Sequence, residues 1–198
     1  MTMLENLKTY ILANTDVTEE QYKELEPLTY SLHVKKGQIL LEQNQVCHRS
    51  FFVCKGLLRS YTVDEMGKEH IIQFASENWW IADRSSFYFD EPSALFIDAI
   101  EDTELVYIEK AFLSKLEQIS TNYSRFNTLA LQKNIRQMQK RINYLLSATA
   151  EEKYLDFIES HRLLTLRLPL HMIASYLGMT PESLSRVRKQ LALKNFNN

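Results

Sequence analysis

The chain has 198 residues, of which 45% are hydrophobic and 24% charged, with four Gly, four Pro and two Cys. That balance suits an ordinary globular protein and excludes collagenous, low-complexity and disulfide-scaffolded architectures. The net charge of −2 conceals a division: residues 1–120 carry 11 Lys and Arg against 20 Asp and Glu, a balance of −9, and residues 121–198 carry 12 against 5, or +7. Such asymmetry points to an anionic partner for the second part, or to attraction between the two parts. The first 14 residues lack the charge-then-apolar layout of a secretory signal. No apolar run approaches the roughly 20 residues of a membrane span. A cytoplasmic protein without a membrane partner is expected.

Residues 17–30 read as a short helix, with Thr18 as cap, Glu19 and Glu20 at its positive end, and Tyr22, Leu25 and Leu28 at helical spacing. Short runs rich in Val, Ile, Leu, Phe and Tyr follow at 38–42, 50–54, 57–63, 70–74, 96–100 and 105–108. Turn signals at 36–37, 55–56, 64–67 and 90–92 separate them, as in a compact antiparallel sandwich or barrel. After Lys110 the pattern becomes helical. The stretch 122–147 has no Gly or Pro and sets Leu131, Ile135, Met138, Ile142 and Leu145 at intervals of 4, 3, 4 and 3. This a/d seam suits packing against another helix, in a second copy of the chain or within its own domain. Arg125, Lys133, Arg136, Lys140 and Arg141 are expected on the solvated faces. Thr149-Ala-Glu-Glu152 is a capping box that opens a helix to about residue 161. Residues 163–168 alternate as one short strand, and Pro169 opens the next element.

The stretch 170–191 is the most specific in the chain. Ile173, Ala174 and Leu177 form an apolar stripe on a short helix that Gly178 ends. Thr180 and Pro181 restart as N-cap and first helical position. The second helix turns Leu184, Val187 and Leu191 one way and Glu182, Ser185, Arg186 and Lys189 the other. Two such helices around a tight turn make a helix-turn-helix, which offers its second helix to base edges in the major groove. Arg186 can grip a guanine edge with two bonds, Glu182 can accept from a cytosine amino group and Ser185 can bond either. Arg188, Lys189 and Lys194 suit phosphate contacts. The candidate DNA contacts are thus Thr180, Glu182, Ser185, Arg186, Arg188 and Lys189.

Met179-Thr-Pro-Glu-Ser-Leu-Ser-Arg-Val-Arg-Lys, with the preceding Ile-Ala-Ser-Tyr-Leu-Gly, resembles the recognition segment of the Crp/Fnr family of bacterial transcription regulators. Upstream, Lys-Lys-Gly-Gln-Ile-Leu, Val-Cys-Lys-Gly-Leu-Leu-Arg, Asp-Glu-Met-Gly-Lys-Glu and Trp-Trp-Ile-Ala-Asp-Arg-Ser-Ser-Phe resemble that family's cyclic-nucleotide-binding β-roll. Ala-Ile-Glu-Asp-Thr-Glu-Leu resembles the strand that closes it. The resemblance spans nearly the whole chain and is nearest to the Bacteroidetes branch. It implies an α+β protein: an antiparallel β-roll sensor over 1–120, a long dimerisation helix over 121–148 and a helix-turn-helix DNA-binding domain over 149–198. It also implies a homodimer on double-stranded DNA, with Leu131, Ile135, Met138, Ile142 and Leu145 at the dimer seam, an unidentified small-molecule effector, and room for contact with RNA polymerase. The family's base-reading Glu, Ser and Arg fall on Glu182, Ser185 and Arg186; Pro181 stands where the cyclic-AMP receptor type carries a further Arg.

The chain departs from the family at the phosphate cassette, which has Ala82-Asp83 for Gly-Glu and Pro92-Ser93-Ala94 for Arg-Ser-Ala. Proline neither neutralises a phosphate nor donates an amide, so cyclic-AMP binding is not expected. Asp83, Ser93, Ala94 and Trp80 remain the candidate effector contacts, and Trp79, Phe87 and Phe89 can add an aromatic wall or belong to an ordinary core. Cys47 and Cys54 are too few for an iron–sulfur cluster and are expected as buried thiols. His33, His48 and His70 make no recognisable metal-ligand set. With no catalytic triad, close His pair or phosphate-binding loop, no enzyme is expected and no cofactor is assigned. Seven residues follow Leu191, too few for a full β-hairpin wing. A second reading from another class is a ligand- or partner-binding β-roll module that has lost specific DNA binding; the salt dependence of DNA affinity separates the two.

Overall fold

Apolar runs between turn residues, from position 29 to 108, fold into two four-stranded sheets. The computed structural model describes residues 2–196, with side chains as far as Lys194. Among these residues the strands in chain order are β1 (Thr29–Val34), β2 (Ile39–Leu41), β3 (Ser50–Lys55), β4 (Leu58–Val63), β5 (Glu69–Ala75), β6 (Trp80–Ile81), β7 (Phe96–Ala99) and β8 (Thr103–Ile108). One sheet has the order β1-β8-β3-β6 and the other β2-β7-β4-β5. The helices are α1 (Met3–Asn14), α2 (Glu19–Tyr22), α3 (Arg84–Phe89), α4 (Lys110–Ile119), α5 (Tyr123–Ser147), α6 (Ala150–Ser160), α7 (Arg162–Thr165), α8 (Leu170–Tyr176) and α9 (Pro181–Phe196). The α+β class is as expected. The chain divides into two compact units, one of residues up to Thr62 with Ile72–Leu131, the other of Val63–Ile71 with the chain from Gln132. Among the described residues no helix is long and apolar enough to cross a membrane.

In the first unit β3 is buried on both faces. Phe51 and Val53 point into a core with Leu58, Ile81, Phe87, Ile97 and Leu105. Phe52 and Cys54 point the other way, with Val106 and Ile108, onto Leu7 and Ile11 of α1. Alternation along the strand is what lets one segment serve two cores. The β3–β4 turn needs glycine: Gly56 has φ +111°, and a Cβ there would lie 2.7 Å from the Thr103 Cα. A buried bidentate pair, Arg59 to Asp98 at 2.7 and 2.9 Å, joins directly opposed residues of β4 and β7.

The expected helix over 17–30 is corrected. Only Glu19–Tyr22 is α-helical; a 3-10 turn, Glu26–Leu28, follows, and β1 begins at Thr29. Pro27 sits in that turn, where its ring and missing N–H stop a regular helix. The helix that covers the sheet is instead α1, opened by a capping box between Thr2 and Glu5. That Ser/Thr-x-x-Glu signature stands in the sequence; α1, β1, β6 and α3 are additions to the expected elements.

The second unit packs Tyr154 and Phe157 of α6, Leu164, Leu168, Ile173, Ala174 and Leu177 against Leu184 and Val187 of α9, all buried. The strand expected at 163–168 is a helical turn. Thr165 N–H donates to the His161 carbonyl, and the amides of Arg167 and Leu168 donate to that of Leu164. Leu164 and Leu168, four residues apart, are buried while Leu163 and Leu166 are exposed, so helical spacing lay inside the alternation. The expected capping box of α6 is present, between Thr149 and Glu152.

His161 stacks on Phe157 with ring centres 5.0 Å apart, and its Nδ1 is buried without a hydrogen-bond partner among the described residues. Burial disfavours the imidazolium and holds its pKa below the ordinary 6.5. The unfolded chain then takes up the proton first, so stability is full above about pH 6.5 and falls as pH drops toward the folded value. His161→Phe, which keeps the stack, should flatten the decline of the urea midpoint between about pH 7.5 and 5.5. An unchanged decline would assign that proton uptake to another group.

Candidate nucleic-acid interface and sensor cassette

Helix α8 closes through two backbone bonds: Gly178 N–H to the Ser175 carbonyl at 3.1 Å and Met179 N–H to that of Ala174 at 3.0 Å. The closure puts Gly178 in the left-handed region at φ +64°, with the Leu145 Cδ2 only 2.9 Å from where a Cβ would stand. Helix α9 starts with Thr180 as cap, its hydroxyl accepting from the Ser183 amide at 3.2 Å. From that start Leu184 and Val187 are buried, and Glu182, Ser185, Arg186, Arg188 and Lys189 are exposed. The expected polar face is therefore assembled and open. The Glu182 carboxyl is held below the ordinary carboxylate range, first by its own backbone amide, then by the Thr180 hydroxyl and the Arg186 charge. Lys194 departs from the expected set: its Nζ pairs with both oxygens of Glu151, at 2.7 and 3.0 Å, so a phosphate would have to compete with α6.

In the first unit the cassette residues are bonded to one another. Asp83 is buried at the start of α3, where one carboxylate oxygen accepts from the Ser86 amide at 3.2 Å. The other accepts from the Ser93 hydroxyl at 2.8 Å and the Ala94 amide at 3.2 Å. The backbone of Ser93 is bonded in turn to Asn44 and Gln45. Donors that the resemblance assigns to a bound anion are thus taken by the chain's own carboxylate. Trp80 does not join them. It lies on the opposite side of β6 from Ile81, packed on Tyr10 and Phe52 in the core beneath α1. Of the other expected aromatics only Phe87 is in the core; Trp79 and Phe89 are exposed.

Both thiols are buried, as expected, and burial pushes them up, Cys54 to about 11 and Cys47 also above its ordinary value. Among the described residues no three His, Cys, Asp or Glu side chains converge on a point that suits a metal.

Along α5 the seam residues Ile135, Met138 and Ile142 are 46, 60 and 56% exposed. Leu131 is half-buried, and Leu145 presses on the turn at Gly178. The expected solvated faces are corrected at Arg141, which is largely buried. Its Nη2 donates to the carbonyls of Ile71 at 2.8 Å and Tyr176 at 2.9 Å, and its guanidinium lies 3.9 Å from the centre of the Tyr176 ring. No spacing rule singles this residue out from the other cations of the helix.

Residues 31–119 match the family model of the cyclic nucleotide-binding domain. Over 186 residues, 89% of this chain and 83% of its relative, the sequence is 22% identical to a probable transcriptional regulator, flp, of Lacticaseibacillus casei. A protein from Eubacterium rectale assigned to the Crp/Fnr family of transcriptional regulators shares the fold with a TM-score of 0.70 at 20% identity, over 94% of this chain and 88% of that one. FixK2 from Bradyrhizobium japonicum shares the fold with a TM-score of 0.74 at 20% identity, over 84% of this chain and 86% of that one. A CooA mutant from Carboxydothermus hydrogenoformans also gives 0.74 at 20% identity, over 98% and 85%. The Crp/Fnr fold read from the motifs is therefore the fold observed.

Asp83→Ala would leave the Ser86 and Ala94 amides without their acceptor and the Ser93 hydroxyl with the Leu95 carbonyl instead, and should cost about 1–3 kcal/mol in urea unfolding. Asp83→Asn keeps an acceptor oxygen and should cost less. No loss in Asp83→Ala would show that the carboxylate does not hold the cassette together.

Proposed function

We propose that this protein is a homodimeric, sequence-specific DNA-binding transcription regulator of the Crp/Fnr type, acting in the cytoplasm, whose β-roll senses an effector other than cyclic AMP. The observation that carries this is the division of α9: Leu184 and Val187 buried, with Glu182, Ser185 and Arg186 exposed on the opposite side at i, i+3 and i+4. In that role Arg186, Glu182 and Ser185 read base edges, each well-formed pairing discriminating by about 1–3 kcal/mol. Arg188 and Lys189 contact phosphates and set position, and Thr180 caps the reading helix. The basic balance of residues 121–198 supports an anionic partner for this part of the chain.

Residues 1–120 serve as sensor, 121–148 as dimerisation helix and 149–198 as DNA-binding domain. The exposed seam of Ile135, Met138 and Ile142 supports pairing with a second copy, with Leu131 and Leu145 at its ends. Two copies then set their reading helices roughly 34 Å apart, in successive major grooves of a near-palindromic site. RNA polymerase is the further protein partner of this reading. Asp83, Ser93 and Ala94 belong to the sensor, but a cyclic phosphate would meet a carboxylate there and Pro92 in place of a cation. The effector shifts an existing equilibrium between arrangements of the reading helices.

Selection from a randomised duplex pool tests the reading. Wild type should enrich an inverted repeat and Arg186→Ala should lose discrimination at one base pair of each half-site. Undiminished specificity in Arg186→Ala would sink the base-reading assignment, and salt-sensitive retention without a motif would leave only an anion-binding surface. Sedimentation tests the seam separately: Glu at both Ile135 and Met138 should convert dimer to monomer, and an unchanged dimer would rule the seam out.

A further inference from the structure

The end of the β4–β5 hairpin, residues 63–71, belongs to the same compact unit as α6 to α9. It is a rigid arm. Asp64 accepts from the amides of Met66 and Lys68, both at 3.0 Å, and its second oxygen meets His70 Nε2 at 2.7 Å. Farther along β5 three backbone groups end on two side chains. Ile71 N–H donates to the Ser175 hydroxyl at 3.0 Å, and that hydroxyl donates to the Glu69 carbonyl at 2.8 Å. The Ile71 carbonyl accepts from Arg141. One serine thus stands in for the neighbouring strand that β5 lacks at this edge, taking a donor and an acceptor two residues apart.

The same two side chains hold the last turn of α8. Ser175 belongs to that turn, and Arg141 also binds the Tyr176 carbonyl at the C-terminal end of the helix, where a cation is favoured by the helix dipole. Helix α8 is packed on α9 through Ile173, Ala174, Leu184 and Val187, all buried, so α9 follows wherever α8 is held. The reading face of α9 is open while these bonds are made.

We infer that Ser175 and Arg141 are positioning residues for DNA reading: they latch α8, and with it α9, to the β4–β5 hairpin end without touching DNA. The inference rests on α9 being the reading helix. The hydroxyl and guanidinium supply directional bonds where apolar packing alone would let α8 slide against the hairpin.

The test uses the full chain with Ser175→Ala, Ser175→Thr and Arg141→Lys, and reads three quantities. These are amide exchange at Ile71, affinity for the duplex enriched by wild type, and the slope of log affinity against log salt. Ser175→Ala should speed exchange at Ile71 and weaken binding about tenfold, the worth of one well-made anchor. The salt slope and the enriched motif should stay as in wild type, because no phosphate or base contact is lost. Ser175→Thr, which keeps the hydroxyl, should restore both exchange and affinity. Arg141→Lys, which keeps the charge but has a shorter reach and no planar face to lie on the Tyr176 ring, should resemble Ser175→Ala. Faster exchange at Ile71 with unchanged affinity would overturn the positioning role, and unchanged exchange in both variants would overturn the latch itself. A wild type that enriches no duplex would overturn the DNA-reading assignment and this inference with it, an outcome distinct from either latch failure.

Discussion

Gly178 is where three helices of the second unit are made to agree. Its left-handed backbone closes α8 and sets the direction in which α9 leaves, and Leu145 of α5 fills the space that any side chain there would need. Only glycine adopts that conformation without strain and leaves that space free. The packing of Leu184 and Val187 under α8 depends on this geometry, and so does the outward turn of Glu182, Ser185 and Arg186. One small residue thus couples the seam helix to the helix proposed to read DNA.

The cassette follows a different logic. A buried carboxylate is tolerated only where hydrogen bonds replace its lost water. Asp83 meets that requirement with the Ser86 and Ala94 amides and the Ser93 hydroxyl. These bonds order the loop between α3 and β7 from within, without a bound anion. An incoming phosphate would have to displace a covalently tethered competitor, and Pro92 offers it neither charge nor amide in return. This loss of the cationic clamp and gain of an internal acceptor support the proposal of a roll that keeps the family's shape and senses something other than cyclic AMP.

Arg141 shows how a surface-like pattern can hide a buried function. In sequence it stands beside Lys140, which pairs with Asp156 at the exposed side of α5. What draws Arg141 inward is a pair of carbonyls, Ile71 and Tyr176, from segments 70 and 35 residues away in sequence. Pattern along one helix carries no information about acceptors supplied by others. The same holds for Trp80, whose partners Tyr10 and Phe52 come from α1 and β3 and pull it away from the cassette. Lys194 is likewise committed by Glu151, a residue 43 positions earlier.

Local chemistry was legible by itself. The two sheets followed from apolar runs between turn residues, the start of α6 from Thr149 and Glu152, and the helix-turn-helix from the order of apolar stripe, Gly178, Thr180 and Pro181. Each of those signals acts over a few residues, through capping, φ preference or side-chain period, and reads the same before and after folding. The local reading failed where two periods compete in a short run, as at 163–168, where burial of Leu164 and Leu168 selected the helical one. It failed also at 17–30, where Pro27 ends the helix in a 3-10 turn and β1 begins at Thr29. Only the tertiary structure decided that Asp83 closes on Ser93 and Ala94, and that Ser175 and Arg141 complete the edge of β5. Those outcomes depend on long-range partners, since a buried polar group takes whichever acceptor or donor the fold brings within reach.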